Sequence, residues 1–319
     1  MSAAGEFDLI RRYFHRPQLQ SATPMALGPG DDCALLDVPS GQQLAISADT
    51  LVAGVHFLPE MPAAHIAQRC LCANLSDLAA MGAKPAWFTL CLTLPANDET
   101  FLQGFSDGLA QVAQRYGISL AGGDTTRGPL SISIQVIGWV PQGHALQRNG
   151  AQIGDDIYVS GYLGDAAGGL ACLQENVTDT GYLAQRFYAP TPRLELGQWL
   201  QDKATAAIDI SDGLLQDVGH ILQQSRLGAS LDVTQLPISQ TLATQVPLAE
   251  QERLALVGGE DFELCFTMPQ SWRAQVQDYS KQQQLPLTRI GQMEALSGLR
   301  LWRDGQAEAL PENLGWQHF

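Results

Sequence analysis

Ala206-Ala207-Ile208-Asp209-Ile210-Ser211-Asp212-Gly213 is an apolar run that closes on two carboxylates and a glycine. It reads as a strand over 206–210, followed by an amphipathic helix over 213–224. A strand, an acidic loop and a helix in succession are the repeating grammar of an α/β chain. Asp209 and Ser211 share one strand face, and Asp212 begins the turn. Two readings of that turn stand side by side. A helix N-terminus offers free N–H groups to an anion. An aspartate N-cap explains Asp212 equally well, but it does not explain Asp209.

The same grammar recurs elsewhere. Aspartates fall in short clusters at Gly30-Asp31-Asp32, Ser47-Ala48-Asp49-Thr50, Gly122-Gly123-Asp124 and Gly259-Glu260-Asp261. Most of these follow an apolar run. Carboxylates gathered at strand ends repel one another unless a cation neutralises them. Mg²⁺ is usually held by carboxylates together with substrate phosphates, so the pattern points to metal-dependent phosphate chemistry. Each cluster also has a plainer reading. Gly28-Pro-Gly30-Asp31-Asp32 has the composition of an ordinary turn. Gly122-Gly123-Asp124-Thr125-Thr126 follows a strand at 118–121 and reads either as a hairpin turn or as a close backbone approach to a ligand. Asp77 shares a helix face with Cys70, Asn74 and Met81, which makes it a site residue or a rim contact. His56 is a lone histidine, and Arg148 is either an exposed loop charge or a phosphate clamp.

Further elements fill in two halves. A helix spans 5–15, a short strand 44–47, a long helix 62–81, a strand 87–94, a helix 99–116 stopped by Gly117, and strands 118–121 and 130–140. In the last of these Ile132, Ile134 and Val136 alternate with Ser131, Ser133 and Gln135. Pro141-Gln-Gly143 breaks the pattern, and a loop runs to Gly154. The second half continues with a strand at 156–160, a helix at 164–174, helical segments over 180–203 broken at Pro190 and Pro192, a strand at 229–233, and later strands at 264–267 and 287–290. The expected fold class is therefore α/β, of the α+β sandwich type, with domains over residues 1–143 and 144–319.

Composition narrows the function classes. The chain has 319 residues, 45% hydrophobic and 16% charged, which suits two globular domains. A net charge of −15 argues against nucleic acid as a partner, because backbone phosphates require basic patches. No run is apolar enough to span a bilayer, and no signal peptide is evident, so the expectation is a soluble, cytoplasmic protein. The six cysteines form no C-x-x-C pair and read as reduced, buried small residues. Neither a Walker A motif nor G-x-G-x-x-G occurs, which excludes the common nucleotide-binding solutions.

In this order and spacing, the clusters resemble the thiamine-monophosphate kinase family. That family is part of the ATP-binding superfamily that includes aminoimidazole ribonucleotide synthetase and selenophosphate synthetase. The resemblance runs from Gly5-Glu-Phe7 through Gly30-Asp-Asp-Cys-Ala34, Gly54-Val-His-Phe57, Asn74-Leu-Ser-Asp77-Leu-Ala-Ala-Met-Gly82 and Gly258-Gly-Glu-Asp261 to Gly315-Trp-Gln-His-Phe319. It implies ATP-dependent phosphorylation of thiamine phosphate to thiamine diphosphate. It further implies a homodimer formed through an N-terminal ATP- and metal-binding domain, and a C-terminal domain that completes the active site. Residue by residue, it implies Mg²⁺ ligands at Asp32, Ser47, Asp49, Asp77, Asp124, Asp209 and Asp212. ATP contacts follow at Gly123, Asp124, Arg148 and Ser211, and substrate contacts at His56, Glu260 and Trp316. Ala48 stands where some relatives carry a hydroxyl, which leaves Ser47 or the Ala48 carbonyl as the ligand there. No general base is implied, because the acceptor is an already ionised phosphate oxygen. A two-metal phosphatase and a non-catalytic divalent-ion binder are the readings from other classes.

Overall fold

The computed structural model describes residues 6–175 and 181–317. The chain divides into two compact units, Met1–Leu78 with Ala83–Gly143, and Ala79–Gly82 with His144–Phe319. The first begins with α1 (Glu6–Leu9), which runs into a π-helix over Ile10–Phe14, and then α2 (Pro17–Gln20). Its body is β1 (Gln42–Val52), α3 (Ala63–Ala80), β2 (Lys84–Leu94), α4 (Glu99–Tyr116), β3 (Ser119–Arg127) and β4 (Ser131–Pro141).

These strands form one sheet in the order β1-β4-β2-β3. Only the β2–β3 pair is parallel, as the intervening helix α4 requires. The alternation read in β4 holds, with Ile132, Ile134 and Val136 buried. Helix α4 starts where Asp98 accepts hydrogen bonds from the N–H groups of Thr100 and Phe101, and it stops at Gly117, whose φ is 68°. Its buried stripe of Leu102, Phe105, Leu109, Val112 and Ala113 follows helical spacing.

Two strands of the first unit extend into the acidic clusters. β1 covers eleven residues rather than four, which brings Ala48 and Asp49 inside it beside Ser47. β3 continues through Gly122, Gly123 and Asp124, so this segment is not a hairpin turn. Pairing with β2 resumes after a register shift between Phe88 and Thr89. Gly123 makes it possible, since a Cβ there would sit 1.8 Å from the Leu90 carbonyl oxygen. The cysteines also divide differently. Cys70, Cys72 and Cys265 are buried, whereas Cys33 and Cys91 are exposed.

The second unit holds β5 (Asp156–Ser160), α5 (Asp165–Gln174), α6 (Gly181–Tyr188), α7 (Leu194–Leu200), β6 (Ala206–Asp209), α8 (Leu214–Ser225) and β7 (Gly228–Asp232). It continues with α9 (Gln240–Gln245), α10 (Leu248–Val257), β8 (Leu264–Met268), α11 (Arg273–Gln283), β9 (Leu287–Glu294), β10 (Gly298–Arg303) and β11 (Gln306–Glu308). Helices α9 to α11 and the last two strands were not legible in the sequence. Their periodicity is weak, and polar residues dominate α11. The seven strands form one mixed sheet in the order β11-β10-β7-β9-β5-β8-β6. Its core packs Ile157, Val159, Ile208, Leu231 and Ile290 against Leu214, Leu215, Val218 and Ile221 of α8. No helix among the described residues is long and apolar enough to cross a membrane. His318 and Phe319, which close the terminal motif, lie outside the described residues.

The two long helices of the first unit meet at a glycine. A Cβ at Gly108 of α4 would lie 2.3 Å from the Ala64 carbonyl oxygen of α3. Gly108→Ala therefore forces the helices apart and costs about 1–3 kcal/mol of stability. Urea denaturation checks this, and an unchanged midpoint would show that the contact is slack.

Candidate active site

In the first unit the expected residues gather in two places. Gly30, Asp31, Asp32 and Cys33 line a cavity of about 1070 Å³ together with Gly122, Gly123 and Asp124. Met25, Ala34 and Leu36 pack against Trp87, Ala121 and Ile137, which holds the loop bearing Asp31 and Asp32 against the sheet. The second group lies where α3 covers β1. Ser47 donates a 2.6 Å hydrogen bond to Asp77 Oδ2. The Asp49 backbone N–H donates to Asn74 Oδ1 at 3.0 Å, and Asn74 Nδ2 donates to the Cys70 carbonyl. Asp77 is thus tied to a strand residue rather than left at a helix rim.

Strand register separates these groups. Asp124 pairs with Cys91, Cys91 with Ser133, and Ser133 with Thr50, whose hydroxyls meet at 2.7 Å. Asp49 pairs with Ile134, Ile134 with Leu90, and Leu90 with Gly123. Paired residues project to the same side of a sheet, so Asp49 and Asp124 point to opposite faces. His56 sits just past β1, at a turn where Gly54 has φ 78°. Its Nδ1 accepts from the Val52 N–H at 3.0 Å, and its carbonyl accepts from Arg69 Nε at 2.9 Å.

In the second unit three loops converge at one end of the sheet. Asp209 is the buried last residue of β6. The Glu260 N–H donates to the Ser211 carbonyl at 2.8 Å, the Phe262 N–H to the Ile210 carbonyl at 2.9 Å, and the Ile210 N–H to the Glu263 carbonyl at 2.8 Å. Glu260 and Phe262 adopt φ values of 77° and 50°, an uncommon conformation for non-glycine residues. The C-terminal segment joins them, as the Trp316 N–H donates to the Asp212 carbonyl at 2.9 Å. Gln216 Nε2 bridges the Asp212 carboxylate and the Trp316 carbonyl. Trp316 remains 52% exposed. Arg148 is exposed, and its carbonyl accepts from Ser225 Oγ at 3.3 Å.

Asp212 is not the cap of α8. The N-cap position is Gly213, with φ 124° and no side-chain cap bond. Asp217, in the first turn, takes that role instead. Its Oδ2 accepts from the N–H groups of Ser211, Asp212 and Gly213 at 3.0, 3.1 and 3.2 Å. Burial, and then the Asp212 charge, push the Asp217 carboxyl up to about 7 against these donors. An aspartate in the first turn of a helix that begins Ser-Asp-Gly is the sequence signal for this contact.

A buried charge cluster beneath the loops was also missed. Glu263 is fully buried, and it accepts from Ser160 Oγ, Arg186 and Arg193. Burial alone would raise its pKa, but Arg193 and Arg186 outweigh that and hold it below the ordinary carboxylate range. Asp261 accepts from the N–H groups of Gly164 and Ala166, closing the start of α5. Burial pushes its carboxyl up to about 7.

The Asp261 shift has a definite sign. A carboxyl whose folded pKa is raised binds its proton more tightly in the folded chain, so stability falls as pH rises between the unfolded and folded values. In EDTA, melting temperature should fall across the window from about 4 to about 7, with Asp261 and Asp217 both contributing. Asp261→Asn should make that decline shallower. Calorimetry across pH tests it, and identical slopes for the two proteins would remove Asp261 as a contributor.

Residues 30–140 match the AIR synthase related protein, N-terminal domain family, and residues 152–303 match the AIR synthase related protein, C-terminal domain family. Thiamine-monophosphate kinase of Salmonella typhimurium is 50% identical, over 99% of this chain and 98% of that protein. The Escherichia coli enzyme of the same name is also 50% identical, over 99% of each. Among solved structures, the thiamine-monophosphate kinase of Stenotrophomonas maltophilia has a TM-score of 0.84 at 46% identity, covering 89% of this chain and 92% of that one. AaThiL complexed with AMPPCP and TMP has a TM-score of 0.78 at 28% identity, covering 98% and 96%. With full-length identity at this level and both domains matched in order, the chain belongs to the thiamine-monophosphate kinase family.

Proposed function

We propose that this chain transfers the γ-phosphoryl group of ATP directly, in line, to thiamine phosphate, giving thiamine diphosphate and ADP. The observation that carries this reading is the full-length kinship above. The junction of Asp212, Gln216 and Trp316 gives it chemical content. It sets an exposed indole beside an acidic loop, and the substrate carries a cationic thiazolium and a phosphate. The acceptor oxygen is ionised at neutral pH, so the protein's task is positioning and charge neutralisation rather than proton removal.

The donor set suits Mg²⁺. Asp32, Ser47, Asp49, Asp77 and Asp124 in the first unit, and Asp209 and Asp212 in the second, offer only hard oxygen atoms. Among the described residues no three His, Cys, Asp or Glu side chains are grouped to enclose one ion. Mg²⁺ typically keeps waters and takes one or two carboxylates plus phosphate oxygens. When bound, Mg²⁺ neutralises the charge of the two polyanions. In the same reading Gly123, Asp124, Arg148 and Ser211 contact ATP, while His56, Glu260 and Trp316 contact thiamine phosphate.

A homodimer belongs to this reading. β1 is an edge strand of its sheet, and Leu44 and Ile46 on it are 45% and 57% exposed. An apolar face beside an open edge favours pairing with a second copy. Sedimentation equilibrium should give the mass of two chains, and a single-chain mass at micromolar concentration would remove the dimer. The six free cysteines accord with a reducing, cytoplasmic setting.

Incubation with Mg-ATP and thiamine phosphate should yield thiamine diphosphate and ADP in equal amounts, and EDTA should stop the reaction. Phosphate release with no diphosphate product would point to a phosphatase instead. A cation–π contact contributes about 0.5–2 kcal/mol. Trp316→Ala should therefore raise the KM for thiamine phosphate about two- to thirtyfold while the KM for ATP barely moves. Equal losses for both substrates, with a lower melting temperature, would make the Trp316 segment structural.

A further inference from the structure

The four residues 210–213 leave no backbone polar group unused. The Ile210 N–H and carbonyl pair with Glu263 and Phe262, and the Ser211 carbonyl pairs with Glu260. The Asp212 carbonyl accepts from Trp316, and the Gly213 carbonyl from the Asp217 N–H at 3.0 Å. The N–H groups of Ser211, Asp212 and Gly213 all end on Asp217 Oδ2. A helix start ordinarily presents such N–H groups to an anion. Here they point at a side chain that is 2% exposed, one turn inside the helix. Glycine at 213 lets the chain turn tightly enough for this, because a Cβ there would lie 2.8 Å from the Val257 carbonyl oxygen.

We propose that Asp217 is the positioning residue of the 209–213 loop. By taking all three N–H donors, it converts the entrance of α8 from an anion cradle into a loop that presents the side-chain oxygens of Ser211 and Asp212 beside the end of β6. Such a loop receives a divalent cation, and a phosphate reaches it only through that cation or the Ser211 hydroxyl. Asp217 touches neither substrate nor ion; it acts by fixing the backbone from which Ser211 and Asp212 project. The cation half of this inference rests on the metal role proposed above for Asp212. The backbone half does not.

Two measurements on the full chain test it. In EDTA, the amides of residues 211–213 should resist hydrogen exchange although they lie outside the helix. They should stay protected in Asp217→Asn, which keeps an acceptor oxygen, and lose protection in Asp217→Leu. Mn²⁺ binding, followed by the resonance of the free ion, should weaken by roughly 10–100-fold in Asp217→Leu and by about threefold or less in Asp217→Asn, as for residues that support metal ligands. Fast exchange of the three amides in the unsubstituted protein overturns the proposal. So does a folded Asp217→Leu variant that binds Mn²⁺ as the parent does. If Asp217→Leu fails to fold, amide protection in the parent and in Asp217→Asn decides alone. Unchanged Mn²⁺ binding in Asp212→Ala, with the amides still protected, would instead sink the metal role of Asp212 and leave the hold of Asp217 on the loop intact.

Discussion

A carboxylate without access to water must be matched by charge and hydrogen bonds, and Glu263 is one of several in the second unit. Arg186, Arg193 and Ser160 converge on it, and its own carbonyl receives the Ile210 N–H. Removing one partner of such a buried pair costs on the order of 3–5 kcal/mol, because the other charge is left stranded. The cluster fixes the start of β8 against the end of β5. Gly161 is part of the same fit, since a Cβ there would lie 2.2 Å from Glu263 Oε1. From this base the 258–263 segment reaches up to the 209–213 loop through backbone hydrogen bonds.

The loop above is organised by the same principle. Asp217 and Asp261 are both buried, and each is satisfied by backbone N–H groups at the start of a helix. They do the work that a Ser or Asp N-cap would do locally, but from the helix body in one case and from another loop in the other. The Asp212 carboxylate, which caps no helix, instead accepts from Gln216 Nε2. Buried acids thus hold the backbone at the starts of α5 and α8.

In the first unit the sheet has the organising role. A glycine without a Cβ lets β3 lie against β2 beyond the register shift, and this carries Asp124 to the cavity side. Asn74 and Asp77 of α3 meet β1 on the other face. Carboxylates that look equivalent in sequence therefore have different surroundings. One set lines an open cavity beside Gly28-Pro29-Gly30. The other is pinned by a hydroxyl and an amide.

The sequence by itself determined the α/β class, the order of the acidic clusters and the family they mark. It also determined well-bounded elements such as α4, whose Asp98 cap, buried stripe and Gly117 stop are all local signals. Those features depend on residues within a few positions of one another. Only the tertiary structure decided which face Asp49 and Asp124 take, because a register shift in a paired strand inverts a side chain and cannot be read from one strand alone. It alone decided that Glu263 would find Arg186 and Arg193, and that Asp261 would close the start of α5, since those partners are about seventy to one hundred residues away. Asp217 lies between the two cases. Its place in a first helical turn is legible, but the convergence of three N–H groups on it requires the tight bend at Gly213, where a Cβ would run into the Val257 carbonyl.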